Sequence, residues 1–316
     1  TRSFHVTGVQ TCALPIWRGE FERAVRVHEH LLARADLSSE DRDRARHALA
    51  LDFLKAGLLD RAEANLRQLT DTPLAGSALL ALLSIYERSR DWVQAGEVAQ
   101  QLSRQGEARF DTRQAHYLCE QAASLGADQT TARRQLLEQA CAVAPQAARP
   151  QLALADLLEA QGDAPAALNQ RLQMAQNMPA MMPLLASGLA RLAVQHQRVD
   201  EVQALLQTHA QAHPSLDVME ALVVLDQAKG VTDIQQRYAT HLEKEPSMVA
   251  ARLWLSHEPL QHESHRGLLE RALERAAAPL KRYRCAACGF EAQQHFWQCP
   301  GCQAWDSYPP RRVEEL

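Results

Sequence analysis

Aromatic residues are scarce in this chain of 316 residues. Phe, Trp and Tyr make up only 5% of it, whereas Ala, Leu and Gln abound. Unbranched side chains lose little rotamer freedom in a helix, and few β-branched stretches are available for sheets. Because 46% of the residues are hydrophobic, the chain still has ample material for a core. We therefore expect a nearly all-α protein.

A surplus of one charge sign is also absent. The formal net charge is −4, and Lys, Arg, Asp and Glu are interspersed along the chain. A nucleic-acid-binding domain usually has a concentrated basic face, so no nucleic-acid partner is expected. The longest uncharged run, residues 172–190, contains Pro179 and Pro183. It would make a poor bilayer helix, and we expect the chain as given to be soluble.

Motifs that mark common catalytic sites are absent as well. The chain has no Gly-rich phosphate loop, no nucleophile elbow and no metalloprotease helix motif. Its many acidic residues, such as Glu40, Asp41 and Asp43, fit helix starts and solvated faces. We therefore do not expect an enzyme.

Cysteine pairs near the carboxyl end are the strongest chemical signal that is present. Cys285-Ala-Ala-Cys288-Gly289 is followed, after ten residues, by Cys299-Pro-Gly-Cys302. Two Cys-x-x-Cys pairs at this spacing supply four thiolates for one tetrahedral metal ion. Two disulfides, or four unrelated thiols, are the alternative. We predict a metal site with Cys285, Cys288, Cys299 and Cys302 as its ligands.

The two pairs resemble the metal-binding knuckles of rubredoxins, Cys-x-x-Cys-Gly and Cys-Pro-x-Cys. Gln303 stands where a rubredoxin usually has glycine, and the ten-residue spacer is far shorter. These departures favour a structural site over electron transfer. The ligand set suits one rubredoxin-type iron, and zinc is the alternative because four thiolates bind both metals. His295, between the pairs, is not expected to be a ligand.

Self-similarity at a period of about 34 residues is the second signal. An alanine-type position recurs at Ala24, Ala62, Ala95, Ala132, Ala167 and Val202. Prolines that would end successive helix pairs recur at Pro145, Pro179, Pro214 and Pro246. The pattern resembles the tetratricopeptide repeat, a helix-turn-helix unit. Over residues 17–275 it predicts about seven units, the first truncated, stacked into a superhelix whose concave face binds protein segments.

The first residues do not fit this pattern. Val6–Ile16 matches, codon for codon, the translation of a common sequencing-library adapter. We therefore expect residues 1–16 not to be native, and we exclude them from reasoning about the fold. On this reading, any natural signal or membrane anchor at the amino terminus has been lost.

Three segments together carry a more specific resemblance. Arg18–Ala24, Ala56–Glu63 and Tyr283–Phe290 look like lipopolysaccharide assembly protein B of Gram-negative bacteria. The resemblance spans residues 17 to about 310. It implies repeats and a metal module on the cytoplasmic side of the inner membrane, attached only through an N-terminal helix that residues 1–16 would have displaced.

The same resemblance implies a function and two partners. Members of the family are adaptors that bring the deacetylase committing lipid A synthesis to a membrane-bound ATP-dependent zinc protease. Two alternatives remain open: a redox protein in which repeats dock a reductase at the iron site, and a generic peptide-binding scaffold. The latter would need a basic carboxylate clamp, and no such Lys/Asn arrangement is evident.

The last segment, residues 276–316, is expected to form the metal module and tail. Its large aromatic residues carry more apolar surface than so small a module buries internally, so we expect part of it to pack around Leu268 and Leu269. Nearby, His257, His262 and His265 are expected on a solvated face. Cys119 and Cys141, which lie in helical patterns, are expected to be small core residues.

Overall fold

The computed structural model describes residues 21–104 and 109–316, which contain fifteen α-helices and one small two-stranded module. The first seven helices are α1 Phe21–Leu32, α2 Ser39–Lys55, α3 Leu59–Arg67, α4 Ala75–Ser89, α5 Trp92–Arg104, α6 Arg109–Ser124 and α7 Thr130–Val143. The others are α8 Ala148–Ala160, α9 Ala164–Asn177, α10 Met182–Gln195, α11 Val199–Ala212, α12 Leu216–Ala228, α13 Gln235–Lys244, α14 Met248–His257 and α15 Arg266–Ala277. The predicted all-α class with a small carboxyl-terminal metal-binding module is confirmed.

Consecutive helices pack as hairpins, beginning with α2 against α3 and ending with α14 against α15. Seven such pairs follow α1 in the part of the chain that the structure describes, and the last of them ends at Ala277, near the predicted end of the array at residue 275. The described residues divide into two compact units, those up to Ala144 and those from Pro145 onward. Residues 1–16, predicted to be an adapter translation, lie outside the described residues.

Five of the seven turns inside the described pairs have a residue in the left-handed conformation. Such residues are Gly57, Arg90, Gly162, Gln197 and Gly230, with φ between 56° and 83°. Glycine adopts this conformation freely, whereas other residues have a cost of about 1–2 kcal/mol. Arg90 and Gln197 replace the usual glycine of the repeat and nevertheless keep its backbone conformation.

Small residues allow the paired helices to approach closely, as the repeat pattern predicts. The exposed fraction is 0% for Ala24, Ala62, Ala95, Ala167 and Val202. The assignment of Ala132 to this position is wrong, because its side chain is exposed. The turn before α7 spans residues 125–129, whereas the turn before α3 spans only residues 56–58, so the spacing that holds elsewhere is shifted here.

The repeated prolines lie two residues beyond the end of a helix. Pro145, Pro179, Pro214 and Pro246 follow α7, α9, α11 and α13, respectively. A proline cannot donate the backbone hydrogen bond that would continue a helix, so it favours an end there. None of the helices in residues 21–104 and 109–316 is both long enough and apolar enough to cross a membrane.

Candidate metal centre

The first metal-binding loop lies inside a short hairpin. Strand β1 (Tyr283–Arg284) pairs antiparallel with β2 (Glu291–Ala292). Between them, the Cys285 N–H donates to the carbonyl of Phe290 at 2.8 Å, and the Gly289 N–H donates to the carbonyl of Cys285 at 2.9 Å. Gly289 has φ = 77°, a conformation that glycine adopts without a Cβ penalty. These bonds fold the segment from Cys285 to Phe290 into a compact turn.

The second loop repeats these hydrogen bonds at the same spacing. The Cys299 N–H donates to the carbonyl of Ala304 at 2.9 Å, and the Gln303 N–H donates to the carbonyl of Cys299 at 2.8 Å. Gln303 occupies the position of Gly289, with φ = 62°. The replacement of glycine noted in the sequence therefore leaves the shape of the knuckle unchanged.

The two loops bring the four cysteine sulfurs together. All four Sγ atoms lie within 4.8 Å of one another. Cys285 and Cys302 are 3.8 Å apart, and Cys288 and Cys299 are 3.7 Å apart. A tetrahedral ion with metal–sulfur bonds of about 2.3 Å places its ligands roughly 3.8 Å apart. A disulfide needs about 2.05 Å. The spacing therefore fits a four-cysteine, rubredoxin-like metal site and not a pair of disulfides.

The electrostatics of the sulfurs also fit a cation. Burial disfavours the Cys285 thiolate, but hydrogen bonds from the Ser307 hydroxyl and from the backbone of Cys288 and Ala287 outweigh it and lower the pKa of Cys285 to about 6. At Cys288, a backbone hydrogen bond from Phe290 favours the thiolate, yet desolvation and the neighbouring sulfurs raise its pKa to about 12. Four adjacent thiolates repel one another, so a bound cation is needed for all to be ionised together.

Two residues beside the four cysteine sulfurs were not identified by the sequence analysis. The Ser307 hydroxyl lies 3.2 Å from Cys285 Sγ. The Tyr308 hydroxyl lies 3.8 Å from Cys299 Sγ and donates to the carbonyl of Phe290 at 3.2 Å. Neighbours of this kind orient metal ligands and tune their basicity. No spacing rule marks them, because they come from the irregular segment after the second knuckle.

His295 lies outside the group of four sulfurs. Its Nε2 is 3.1 Å from the carbonyl of Tyr308, and its ring meets those of Tyr283 and Trp297 edge-on. Burial lowers the pKa of His295, so a neutral imidazole can donate to that carbonyl. This contact gives His295 a packing role in the module.

The other singled-out residues are dispersed. His257, His262 and His265 are exposed, as expected. Cys119 is buried and Cys141 is half-buried. None of these side chains belongs to the four-sulfur group.

The module packs on a different part of the array from the one predicted. Leu268 and Leu269 are 59% and 47% exposed, so the expectation that the module covers them is wrong. Instead, Leu184 of α10 packs against the module's buried cluster, and the Arg149 guanidinium of α8 lies 5.6 Å from the ring centroid of Trp305. The module therefore contacts the first helix of several repeats.

A buried ion-pair network fixes this arrangement. Arg312 Nη2 donates to Asp217 Oδ1 of α12 at 2.7 Å and to Glu220 Oε2 at 2.6 Å. Arg282, just before the first knuckle, also donates to Asp217. The side chains of Arg312 and Asp217 are only 10% and 3% exposed. Because a buried carboxylate without a partner is costly, this network ties both ends of the module to α12.

The tail beyond Arg312 caps two repeat helices. The carboxylate of Glu315 accepts from the Leu216 N–H at 2.5 Å, at the start of α12. The carboxylate of Glu314 accepts from the Met248 N–H at 2.9 Å, at the start of α14. The first N–H groups of a helix have no partner within it, and the helix dipole favours a negative charge there. The tail thus supplies two caps from outside the repeats.

Taken together, these features define a tetratricopeptide-repeat protein with a carboxyl-terminal rubredoxin-like metal-binding module. Residues 283–309 match the family model described as a rubredoxin metal binding domain. The chain is 28% identical to lipopolysaccharide assembly protein B of Escherichia coli K12 over 303 residues, which cover 93% of this chain and 78% of that protein. The protein of the same name from Haemophilus influenzae is 28% identical over 310 residues, 94% of this chain and 77% of that protein.

The chain is thus related to the lipopolysaccharide assembly protein B family, and the resemblance predicted from its motifs is confirmed. Among solved structures, a tetratricopeptide repeat protein from Parabacteroides merdae aligns with 78% of this chain and 96% of its own, at 12% identity and a TM-score of 0.36.

Proposed function

We propose that this chain is a non-catalytic adaptor in lipopolysaccharide biosynthesis. On this proposal it presents the deacetylase that commits lipid A synthesis to a membrane-bound ATP-dependent zinc protease, and so sets lipopolysaccharide output. It acts on the cytoplasmic side of the inner membrane, held there by an N-terminal helix of the natural protein. The relatives' name, lipopolysaccharide assembly protein B, supports the pathway.

The observation that carries an adaptor role is the attachment of the metal module to the repeats. A site that serves folding needs its ligands closed around one ion, and four thiolates satisfy a tetrahedral ion completely. The Arg312–Asp217 pair and the Glu315 cap then hold the module on α12. Such a module stabilises a binding surface and needs no open coordination position for a substrate.

A groove between α10 and α12 offers that surface. It encloses about 640 Å³, and Val194, Val224 and Arg282 are among the residues that line it. Val194 and Val224 are 39% and 44% exposed. Exposed apolar side chains in a concave site are typical of surfaces that bind protein segments. The groove borders the module through Arg282, so a bound segment could contact both parts.

We further propose that Cys285, Cys288, Cys299 and Cys302 hold one rubredoxin-type iron, with zinc as the alternative. The matching family model is described as a rubredoxin metal binding domain but is named as a zinc ribbon, and the four-sulfur geometry suits either ion. Elemental analysis and the visible absorption of the purified full chain distinguish them. One equivalent of iron with thiolate-to-iron absorption is expected, and one equivalent of colourless zinc would replace iron in the proposal.

A cellular assay tests the adaptor function. Gram-negative cells depleted of their own lipopolysaccharide assembly protein B would receive this chain joined to a membrane-spanning helix. We expect the chain to restore turnover of the deacetylase, and Val224→Asp to abolish it by placing a charge in the groove. Val231→Asp is the matched control, since Val231 is 43% exposed and lies outside the groove lining. Full turnover with Val224→Asp, or none with the unchanged chain, would overturn the proposal.

The exposure of two sulfurs favours a second candidate. Cys288 and Cys302 are exposed, whereas Cys285 and Cys299 are buried. An electron-transfer protein needs one face of its metal site close to a redox partner. Reversible one-electron titration of the bound ion, together with reduction by a docked reductase, would support this function. A redox-inert ion would eliminate it and leave the adaptor.

A further inference from the structure

A second cavity lies where the tail passes between the end of α11 and the start of α12. It encloses about 320 Å³, at the lower end of the range for small-molecule sites. Its apolar lining consists of Pro179, Ala180, Pro183, Pro214 and Pro310. Its polar lining consists of His209, His213, Ser215 and Arg311. Every polar side chain of the lining can donate a hydrogen bond, and none of them is acidic.

Ser215 is the polar group that most needs a partner. Its side chain is 3% exposed, and its Oγ forms no hydrogen bond in the structure. Ser215 directly precedes α12, where a serine usually caps the helix. Glu315 caps the helix instead, because its carboxylate accepts a hydrogen bond from the Leu216 N–H. Because buried hydroxyl groups are normally satisfied, this hydroxyl has hydrogen-bonding capacity left for a water or for a ligand that enters the cavity.

Arg311 supplies a positive charge that the chain does not neutralise. Its Nη2 donates to the carbonyl of Pro214 at 3.4 Å, and no carboxylate pairs with it among residues 21–104 and 109–316. The acidic groups nearby have other partners: Asp217 binds Arg312 and Arg282, and Glu315 binds the start of α12. A guanidinium has five N–H groups in a planar fork that suits a carboxylate.

His209 and His213 complete the polar side. His209 lies in the last turn of α11 and His213 directly follows the helix, with ring centroids 5.3 Å apart. A neutral imidazole still donates one hydrogen bond, so both rings are compatible with an anion in the cavity.

We propose that this cavity binds a small carboxylic acid, with its carboxylate at Arg311 and Ser215 and its hydrocarbon part against the prolines. The complementarity consists of uncompensated donors on one side and apolar rings on the other. A free carboxylic acid and the last residue of a peptide share this chemistry. The inference does not depend on the adaptor function, because it rests on the lining of a separate cavity.

The test uses the full metal-loaded chain, with the imidazole resonances of His209 and His213 followed by NMR. Hexanoate is the charged probe, and hexan-1-ol is the neutral probe of similar length. We expect saturable shifts with hexanoate and at least tenfold weaker binding of hexan-1-ol. Arg311→Gln should weaken hexanoate at least tenfold, since charged hydrogen bonds contribute about that much. Arg311→Lys should recover part of the loss, and Arg275→Gln, on exposed α15, should change nothing.

Additional probes identify the source of the carboxylate, and two further measurements check that the variant is folded. A tripeptide ending in a free leucine carboxylate is compared with its amide. Binding of the free peptide alone supports a chain terminus, and binding of hexanoate alone supports a free acid. Unchanged metal content and melting temperature show that Arg311→Gln is folded. Equal binding of hexanoate and hexan-1-ol, no effect of a folded Arg311→Gln, or no saturable binding of any carboxylate probe would overturn the proposal.

Discussion

The repeat helices and the metal module are stabilised in different ways. In the repeats, large side chains such as Leu66, Leu168 and Leu206 are fully buried between helices. In the module, the buried cluster consists of Tyr283, Cys285, Ala292, Cys299 and Tyr308. Two of its five members are cysteines of the candidate metal site. Apolar burial at about 25 cal/mol per Å² can carry the repeats, whereas the module depends on its ion and its charged contacts.

In the repeats the stabilising free energy is spread over many contacts, whereas in the module it comes from a few interactions. A repeat helix can lose one contact and keep many others with its neighbours. The module has a few interactions with large individual contributions, namely the four sulfurs and the charges that contact α12. Point substitutions should therefore have graded local effects in the repeats and all-or-none effects in the module.

The largest expected effect follows from removing one sulfur. Cys285→Ser leaves three thiolates around the ion, and structural metal binding contributes about 10–16 kcal/mol in small zinc domains. We expect the variant to lose its metal and the order of the module, while far-ultraviolet circular dichroism shows the repeat helices intact. Cys141→Ser is the control and should keep one ion per chain. A Cys285→Ser variant that still holds one ion per chain would show that the module does not depend on all four cysteine ligands.

The next effect tests the buried charges. Arg312→Ala leaves Asp217 with Arg282 as its one remaining ion-pair partner among the described residues. Truncating one side of a buried pair typically costs about 3–5 kcal/mol. Urea unfolding should show a loss in this range. Arg284→Ala, which breaks the exposed pair with Glu291, should lose about 1 kcal/mol or less. Equal losses in the two variants would contradict a special role for the tail.

A core truncation in the repeats should be costly yet leave the metal in place. Leu66 is 0% exposed, and Leu66→Ala should cost about 2–5 kcal/mol through lost burial and a cavity. Metal content, measured beside urea unfolding, should remain at one ion per chain. Leu58, which is 46% exposed, is the matched site, and Leu58→Ala should change the free energy of unfolding little. Loss of metal from Leu66→Ala would break the distinction between the two regions.

The smallest effect compares the same residue type in both regions. Gln197 in a repeat turn and Gln303 in the second knuckle have φ values of 56° and 62°. Replacing either by glycine removes a backbone cost of about 1 kcal/mol, and we expect a rise in stability of that order. Gln173→Gly, inside α9, should instead lower stability by about 1 kcal/mol. A gain at Gln197 without one at Gln303 would indicate that the metal, and not the turn, fixes the knuckle.

Local sequence patterns were sufficient for the repeats and for the four sulfurs. The period of the helix pairs and the Cys-x-x-Cys spacing are both set by contacts between residues that lie close in the chain. Even there, one turn of different length made Ala132 an exposed residue. The second knuckle could be recognised from its Cys-Pro-x-Cys spacing although Gln303 replaces glycine. In the structure its hydrogen bonds repeat those of the first knuckle.

The docking of the module could not be read from local patterns. Asp217 and Arg312 are 95 positions apart, and neither lies in a recognisable motif. The aromatic surface of the module suggested packing around Leu268 and Leu269, but apolar area alone does not determine which surface covers it. The charges of the tail determine the position of the module, because Arg312 and Glu315 contact complementary groups on α12.

The central claim is that the metal module, through its tail, stabilises the repeat helices on which it packs. Hydrogen exchange of the full chain before and after removal of the ion tests this claim most directly. The account predicts faster exchange in residues 283–316 and also at the Leu216 and Met248 amides, which donate to Glu315 and Glu314. Faster exchange confined to residues 283–316, with unchanged rates at the starts of α12 and α14, would contradict it.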